Sequence, residues 1–431
     1  MSFNTIPFEL IAEIFEQAAV VDFLAPVTLS HVCNGWRKVA ISDPSLWTTI
    51  CIETGQTKEI TTCTFVETFL NRSKSLPISI TLVDRRGSKL ITNTINLLAQ
   101  HSFRWTSLKL THSGPNCLKT LLQPAPILRD VSITTSHLDD TGFYTISRFL
   151  ELLPSMTTLS LNFKMQPAIR LSSIAPSCPH ESLLDLTLKD WCPTPLLAML
   201  GHCVRLQTLS IHGLDLHEPP PVYTDQNPRP INLPDLRKIY IYQYCLNDSI
   251  CVLFDQLTCP NLRGLDISSG FVDYFPFPKT SVASFLRRSA CPLTSVLFEM
   301  VQITEDQLLE CLEACSKTLE YFDVIEQRDV FCVGDKLLNK LTAGTEHHDG
   351  APTRCTTLCP RLRAFQVNDA LDCQDGALAA FLRSRQPSNI HNLACDHCTP
   401  LDKASIRIRK KFRENLGSDI DYLKENGHWV M

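Results

Sequence analysis

One short hydrophobic motif recurs along most of this chain and restricts its fold more than any other feature. The motif has the form large-x-x-apolar-x-apolar. It occurs as Trp105, Leu108, Leu110; Leu128, Val131, Ile133; Met156, Leu159, Leu161; Leu183, Leu186, Leu188; Leu206, Leu209, Ile211; Leu236, Ile239, Ile241; Leu262, Leu265, Ile267; Leu293, Val296, Phe298; Leu319, Phe322, Val324; and Leu362, Phe365, Val367. Successive first residues are separated by 23, 28, 27, 23, 30, 26, 31, 26 and 43 positions. Most of these fall within or just outside the ~20–29-residue period of solenoids built from one strand and one helical segment per repeat. Ile80-x-Leu82 reads as an eleventh copy. Apolar residues two apart predict a short strand, and helical spacing between the copies, at 144–153, 195–202, 250–257, 282–288 and 305–315, predicts a helix after many of them.

A strand and a helix of this size cannot hide their own apolar faces, so each unit must stack on the next. The expected fold is therefore α/β: an irregular solenoid with parallel strands on a concave face and helices outside. Two excursions, HEPPPVYTDQNPRPINLPD at 217–235 and the stretch 342–357, are rich in proline, glycine and charge and read as surface insertions. If the repeat leucines point inward, strand alternation turns their neighbours toward the concave face. The early units place Ser132, Thr134, Thr158, Ser160 and Asn162 there. Later units place His212, Lys238, Tyr240, Tyr242, Asp266, Glu299, Tyr321 and Asp323 there. Tyrosines held on rigid strands contribute contact area at low entropic cost, so these eight residues are the candidate substrate-binding set, the alternative being simply the solvated face of a sheet.

The N-terminal fifty residues follow a different pattern. Pro7 suits a first helical turn, and Leu10, Ile11, Ile14, Phe15 and Ala18 follow at helical spacing. A segment with Phe23, Val27 and Leu29 comes after Asp22, then one with Val32, Trp36, Val39 and Ala40, and Leu46-Trp47 closes the unit after Asp43-Pro44. A segment this small cannot bury two tryptophans and about a dozen aliphatics by itself. Its surplus apolar face marks either an interface with a partner or a cap packed on the rest of its own chain.

These residues resemble an F-box, the motif that docks a substrate receptor onto the Skp-type adaptor of a cullin RING ubiquitin ligase. Ile6 and Pro7 match the opening Leu-Pro of that family, and Leu10, Ile14 and Phe15 its first-helix anchors. Leu29, Val32, Cys33, Trp36 and Arg37 match its S-x-V-C-x-x-W core, and Leu46 and Trp47 its closing P-x-L-W. Ile6 in place of leucine and Asn34-Gly35 before the tryptophan depart from the pattern. With the repeats behind it, the chain resembles fungal F-box proteins carrying a divergent leucine-rich repeat domain. The resemblance implies a non-catalytic receptor subunit without cofactor. Its adaptor-binding residues would be Ile6, Pro7, Leu10, Ile14, Phe15, Leu29, Val32, Cys33, Trp36, Leu46 and Trp47, its partners the adaptor with cullin and RING subunits behind it, and its cargo a protein substrate. A leucine-rich scaffold acting outside ubiquitin transfer is the alternative. The expected organisation is an F-box over 1–50, a linker helix over 51–75, the solenoid over 76–388 and a capping segment over 389–431.

Composition narrows the partners. Forty basic against forty-five acidic residues leave a net charge of −5, with no basic field for nucleic acid. No run reaches membrane-spanning length and no secretory signal is visible, so the expected location is cytoplasmic or nuclear. The 19 cysteines are then free thiols. Cys203, Cys259, Cys291 and Cys359 fall just ahead of a repeat leucine, as small buried hydrophobes do, and Cys178, Cys315 and Cys332 are looser versions. His391, Cys395 and Cys398, with His397 and Cys373 near, read as a loop-borne free set, a structural zinc being the alternative. The basic stretch with Arg407, Arg409, Lys410, Lys411 and Arg413 reads as a capping helix built on Ile406, Phe412 and Leu416, with a nuclear import signal as the alternative.

Overall fold

The computed structural model describes residues 7–53, 59–84, 90–112, 123–138, 140–165, 180–191, 193–214, 230–243, 249–270, 281–326, 331–346, 354–390, 398–408 and 415–428. It forms two compact units, residues 1–190 and 191–431.

Three helices open the first unit, α1 (Phe8–Val21), α2 (Ala25–Ser30) and α3 (Asn34–Ser42). Asp22 Oδ1 accepts the Leu24 N–H and the Cys33 sulfur accepts the Trp36 N–H at 3.5 Å, so both turns are closed by side chains. A single 3-10 turn, Pro44–Trp47, is capped by Asp43 and leads into β1 (Thr49–Glu53). The expected boundary at residue 50 thus lies within a strand. Next come α4 (Glu59–Arg72), β2 (Ile78–Asp84), α5 (Leu90–Ala99), β3 (Trp105–His112), β4 (Asp130–Leu138), α6 (Asp140–Glu151), β5 (Thr158–Met165) and β6 (Asp185–Trp191). Strands β1 to β6 pair in chain order, all parallel. The residues Ile50 and Ile52 of β1 are buried like the repeat leucines, so the helical head ends in a strand that starts the sheet.

Trp47 joins that head to the repeats of its unit. It is fully buried, donates to Ala40 O at 2.7 Å, meets Phe69 of α4 edge-on at 5.0 Å, and carries the Arg72 guanidinium over its ring at 4.2 Å. Burial of an indole contributes about 3 kcal/mol, and the aromatic and cation contacts add to it.

The second unit runs α7 (Pro193–Leu200), β7 (Thr208–Leu214), β8 (Ile231–Asn232), β9 (Lys238–Gln243), α8 (Ser249–Gln256), β10 (Leu257–Thr258), β11 (Gly264–Ser269), α9 (Ser281–Ser289), β12 (Ser295–Glu299), α10 (Glu305–Cys315), β13 (Tyr321–Ile325), α11 (Asp335–Leu341), β14 (Thr345–Glu346), β15 (Arg354–Cys355), β16 (Ala364–Asn368), α12 (Ala377–Ser384), α13 (Pro387–Ile390), β17 (Lys403–Arg407) and α14 (Gly417–Glu425). Its main sheet is parallel in the order β7, β9, β11, β12, β13, β16, β17.

One expectation is corrected here. The capping helix expected to include Ile406 and Arg407 is instead strand β17: Ala404 and Ile406 alternate inward and pair with Phe365 and Val367, while 409–414 lie outside the described residues. The insertion at 217–235 ends in β8, which pairs with β10. Within 342–357, β14 and β15 pair antiparallel. At β17 pairing with a neighbouring strand overrides local propensity.

Polar side chains close the ends of the stacked elements. Buried Arg385 donates to Leu341 O at 2.9 Å, to Leu358, Cys359 and Pro360 O at 3.1 Å each, and so completes the C-terminus of α11. Arg288 does the same for α8 through Leu257 O at 2.7 Å, and Arg104 reaches Leu76 O at 2.8 Å and the Ser73 hydroxyl after α4. A guanidinium there meets both the orphan carbonyls and the negative end of the helix. At the opposite ends Glu305 Oε1 accepts the Gly334 and Leu337 N–H groups, and Asp419 accepts those of Gly376 and Ala379 while Asp375 accepts those of Ser418 and Asp419.

The residue seven places after a repeat's first leucine takes one of two forms. Asp190, Gly213, Met300 and Asp369 have positive φ, whereas Thr135, Gln243, Ser269 and Glu326 are buried polar residues. Where a left-handed residue exposes main chain, the buried polar side chain of a neighbouring repeat can satisfy it. Gln243 exchanges two hydrogen bonds with Leu214, at 2.8 and 2.9 Å, and Glu326 accepts the Gln302 N–H at 3.0 Å.

Arg385→Met should lower the stability of the second unit by about 2–4 kcal/mol, because it strands buried carbonyls, and Arg385→Lys should recover only part, lacking the fork. Thermal melts and hydrogen exchange across α11 and α12 measure it; unchanged protection of those helices would exclude the capping role.

Candidate functional site

Two surfaces are candidates, one in each unit. In the helical head, packing of α1 on α2 and α3 splits the apolar residues of α1 into two faces. Phe15 points inward, 1% exposed, and meets Trp36 edge-on at 5.2 Å. Leu10 and Ile14 point outward, 50% and 54% exposed. Val21, seven residues beyond Ile14, lies on that same outward stripe by helical geometry, and it is exposed too. Phe8, Val20, Leu24, Val32 and Ile41 are further exposed apolar residues of the head.

The named adaptor set therefore divides. Pro7, Leu10, Ile14, Val32 and Cys33 are at the surface, and Leu29 and Trp36 are half-buried. Phe15, Leu46 and Trp47 are core residues that hold this surface from below. Ile6 lies outside the described residues. Phe8 and Val21 were not singled out from sequence, although the position of Val21, eleven after Leu10, carries the signal.

In the second unit the strand register brings all eight substrate-set residues onto one face. Thr208, Lys238, Gly264, Ser295, Tyr321, Ala364 and Lys403 form one row across the strands. Ser210, Tyr240, Asp266, Leu297, Asp323, Gln366 and Ser405 form the next, and His212, Tyr242, Ser268, Glu299, Ile325, Asn368 and Arg407 the third. The intervening residues, Ile239, Ile241, Leu265, Ile267, Val296, Phe298, Phe322 and Val324, are buried on the helix side. Alternation thus separates face from core at every strand. Lys238 and Tyr321 are exposed, and the other six are half-buried.

Tyr242 is positioned by contact. Its ring lies 6.2 Å from His212, and its hydroxyl rests against Gly270, where a Cβ would come within 2.1 Å of the oxygen. Only glycine leaves this space.

Electrostatically the centre of the face is under-compensated. Burial and then the neighbouring Glu299 raise the Asp323 carboxyl from 3.8 to about 6, with Asp266 adding to the effect and Lys403 and Gln366 opposing it. Gln366 donates to Asp323 Oδ2 at 3.0 Å, while Oδ1 is shielded and has no hydrogen-bond donor among the described residues. Burial also raises Asp266, against the pull of Lys238.

Burial governs the repeat cysteines. Burial pushes Cys203 and Cys359 up to about 12 and Cys291 to about 11, far from the thiolate form a nucleophile or ligand needs. Cys178, His391, Cys395 and His397 lie outside the described residues, and Cys398 is buried with its sulfur 3.6 Å from the Thr357 hydroxyl. Among the described residues no helix is long and apolar enough to cross a membrane.

The raised Asp323 carboxyl makes a signed prediction. Its native form favours the proton, so the stability it contributes is present below pH 3.8 and is lost as pH rises through about 6. After discounting for partial exposure, Asp323→Asn should therefore stabilise the protein by on the order of 1 kcal/mol at neutral pH and by almost nothing near pH 4. Melting temperatures of the two proteins across that range decide it; a gain independent of pH would contradict the assignment. Gly270→Ala should displace the Tyr242 ring, seen as altered tyrosine ring resonances, at a stability cost below about 1.5 kcal/mol because the ring end can swing away.

The F-box-like sequence profile matches residues 3–53. No curated protein sequence matches the chain. Among solved structures it is similar to one described as the crystal structure of the Rad7 and Elc1 complex in yeast, at 14% identity and a TM-score of 0.41, over 85% of this chain and 90% of that one. The N-terminal head is thus an F-box-like domain, and in its own unit it leads directly into parallel strand–helix repeats.

Proposed function

We propose that this chain is the substrate-recognition subunit of an SCF-type cullin RING ubiquitin ligase. Its F-box-like domain docks a Skp-type adaptor, and through it cullin and RING subunits. Its leucine-rich repeats present a protein substrate on the sheet face of the second unit. The chain itself performs no chemistry, because ubiquitin transfer is carried out by the recruited conjugating enzyme and the receptor contributes proximity.

The observation that carries this reading is the outward stripe of Leu10, Ile14 and Val21 with Val32, on a domain whose sequence matches the F-box-like family. Leu10, Ile14 and Val32 are about half exposed, so each would contribute about 1 kcal/mol if a partner covered the rest, and Val21 somewhat more. Support for the second half of the reading is the row structure of the face: tyrosines, histidine and carboxylates in fixed register on parallel strands.

Substituting aspartate for Leu10, Ile14 and Val32 together should abolish retention of a Skp-type adaptor, a loss of more than a hundredfold, while the far-ultraviolet circular dichroism and melting temperature stay those of the parent. Phe15→Ala, by contrast, should cost about 3–5 kcal/mol of stability. Pull-down with purified adaptor tests both; undiminished adaptor retention by the triple variant would remove the ligase reading and leave a repeat scaffold.

A further inference from the structure

On the sheet face of the second unit, Asp266, Leu297 and Asp323 stand side by side on the three adjacent strands β11, β12 and β13. Parallel strands lie about 4.8 Å apart, so the two carboxylates flank the leucine across a gap of about 10 Å. Leu297 is half-buried and makes an apolar floor. Glu299, two residues further along β12 and therefore on the same face, adds a third carboxylate at the upper edge, and Tyr321 and Tyr240 bound the gap below and beside it. None of the three carboxylates is in an ion pair among the described residues. We propose that this cradle receives an arginine or lysine side chain from an extended protein segment, its aliphatic stem on Leu297 and its cation between the carboxylates.

This rests on the reading of the face as the substrate surface and specifies the substrate's chemistry. Charge complementarity selects the occupant. Asp323 is faced by Asp266 from β11, Glu299 from β12, Gln366 from β16 and Lys403 from β17, with Arg407 further along β17, and its carboxyl stays raised in spite of the Lys403 cation. Lys238 moderates Asp266 from β9. A carboxylate left under-satisfied on a binding face is costly to the free protein, and an incoming cation relieves that cost. An amphipathic stem with a charged head fits an apolar floor between acids, whereas a phosphorylated or acidic segment would meet three like charges.

The test is selection of a random 16-residue peptide-display library on the immobilised full chain, followed by titration of a histidine-free selected peptide. The pool should be enriched in arginine and lysine over the unselected library. Asp266→Asn with Asp323→Asn, both near-isosteric, should weaken the peptide by about tenfold with the melting temperature maintained or raised. Binding should also fall about fourfold from pH 7.5 to 5.5, as Asp323 takes up a proton near pH 6, and this dependence should vanish in Asp323→Asn. A pool without basic enrichment, or one no different from the unselected library, overturns the inference. If selected peptides lose affinity in Tyr240→Ala with Tyr242→Ala but not in the double asparagine variant, the cradle is refuted and the substrate face stands. Insensitivity to both pairs refutes the face as well.

Discussion

Burial of repeat leucines against the neighbouring repeat is the interaction on which everything else in this molecule depends. A strand such as β11 buries Leu265 and Ile267 in rows that β9 and β12 continue on either side. No repeat is stable alone, and each one is a template for the next. The same requirement sets the direction of the head. Its last turn delivers Trp47 into a pocket with Phe69 and Arg72, and β1 then provides the edge on which β2 stacks.

Stacking leaves a second problem, the unpaired main-chain groups at the ends of every helix and strand. This chain solves it with long polar side chains that cross from one repeat to another. Arginines reach back to the carbonyls of the preceding helix, and carboxylates of Glu305, Asp375 and Asp419 accept N–H groups at helix starts. Gln243 and Glu326 serve the strand ends next to left-handed residues. Met300 holds its φ of 54° although a side chain disfavours that region by roughly 1 kcal/mol, and hydrogen bonding around the turn offsets the strain. These crossings align the strands and so fix the rows of the sheet face.

Both candidate surfaces carry features that do nothing for the free protein. The head exposes a stripe of aliphatic side chains over a well-packed interior, and the sheet face holds carboxyls whose environment disfavours their charge. Natural proteins retain such costs where a partner relieves them. Burial holds thiols such as Cys203 and Cys359 in the protonated form, and strand register sets the polar side chains of the sheet face in fixed rows.

Much of this was legible in the sequence, for a physical reason. Burial depends on residue type and spacing, so the large-x-x-apolar-x-apolar motif marked the strands from β2 to β16 that carry it, helical spacing marked α6 to α10, and strand alternation placed His212, Tyr240, Asp266 and Asp323 on the face opposite the core. What a short motif cannot encode is which partner satisfies a group. The strands β1 and β17 were invisible because their apolar residues, Ile50, Ile52, Ala404 and Ile406, are too few to announce a repeat until a neighbouring strand pairs with them. Arg104, Arg288 and Arg385 look like ordinary surface cations until the fold brings carbonyls from another repeat around them. In the head, sequence identified the amphipathic helix but not which of Leu10, Ile14 and Phe15 would be inside. Only the packing of α1 on its two neighbours divided that stripe, because the choice between core and surface is made by the opposing helices.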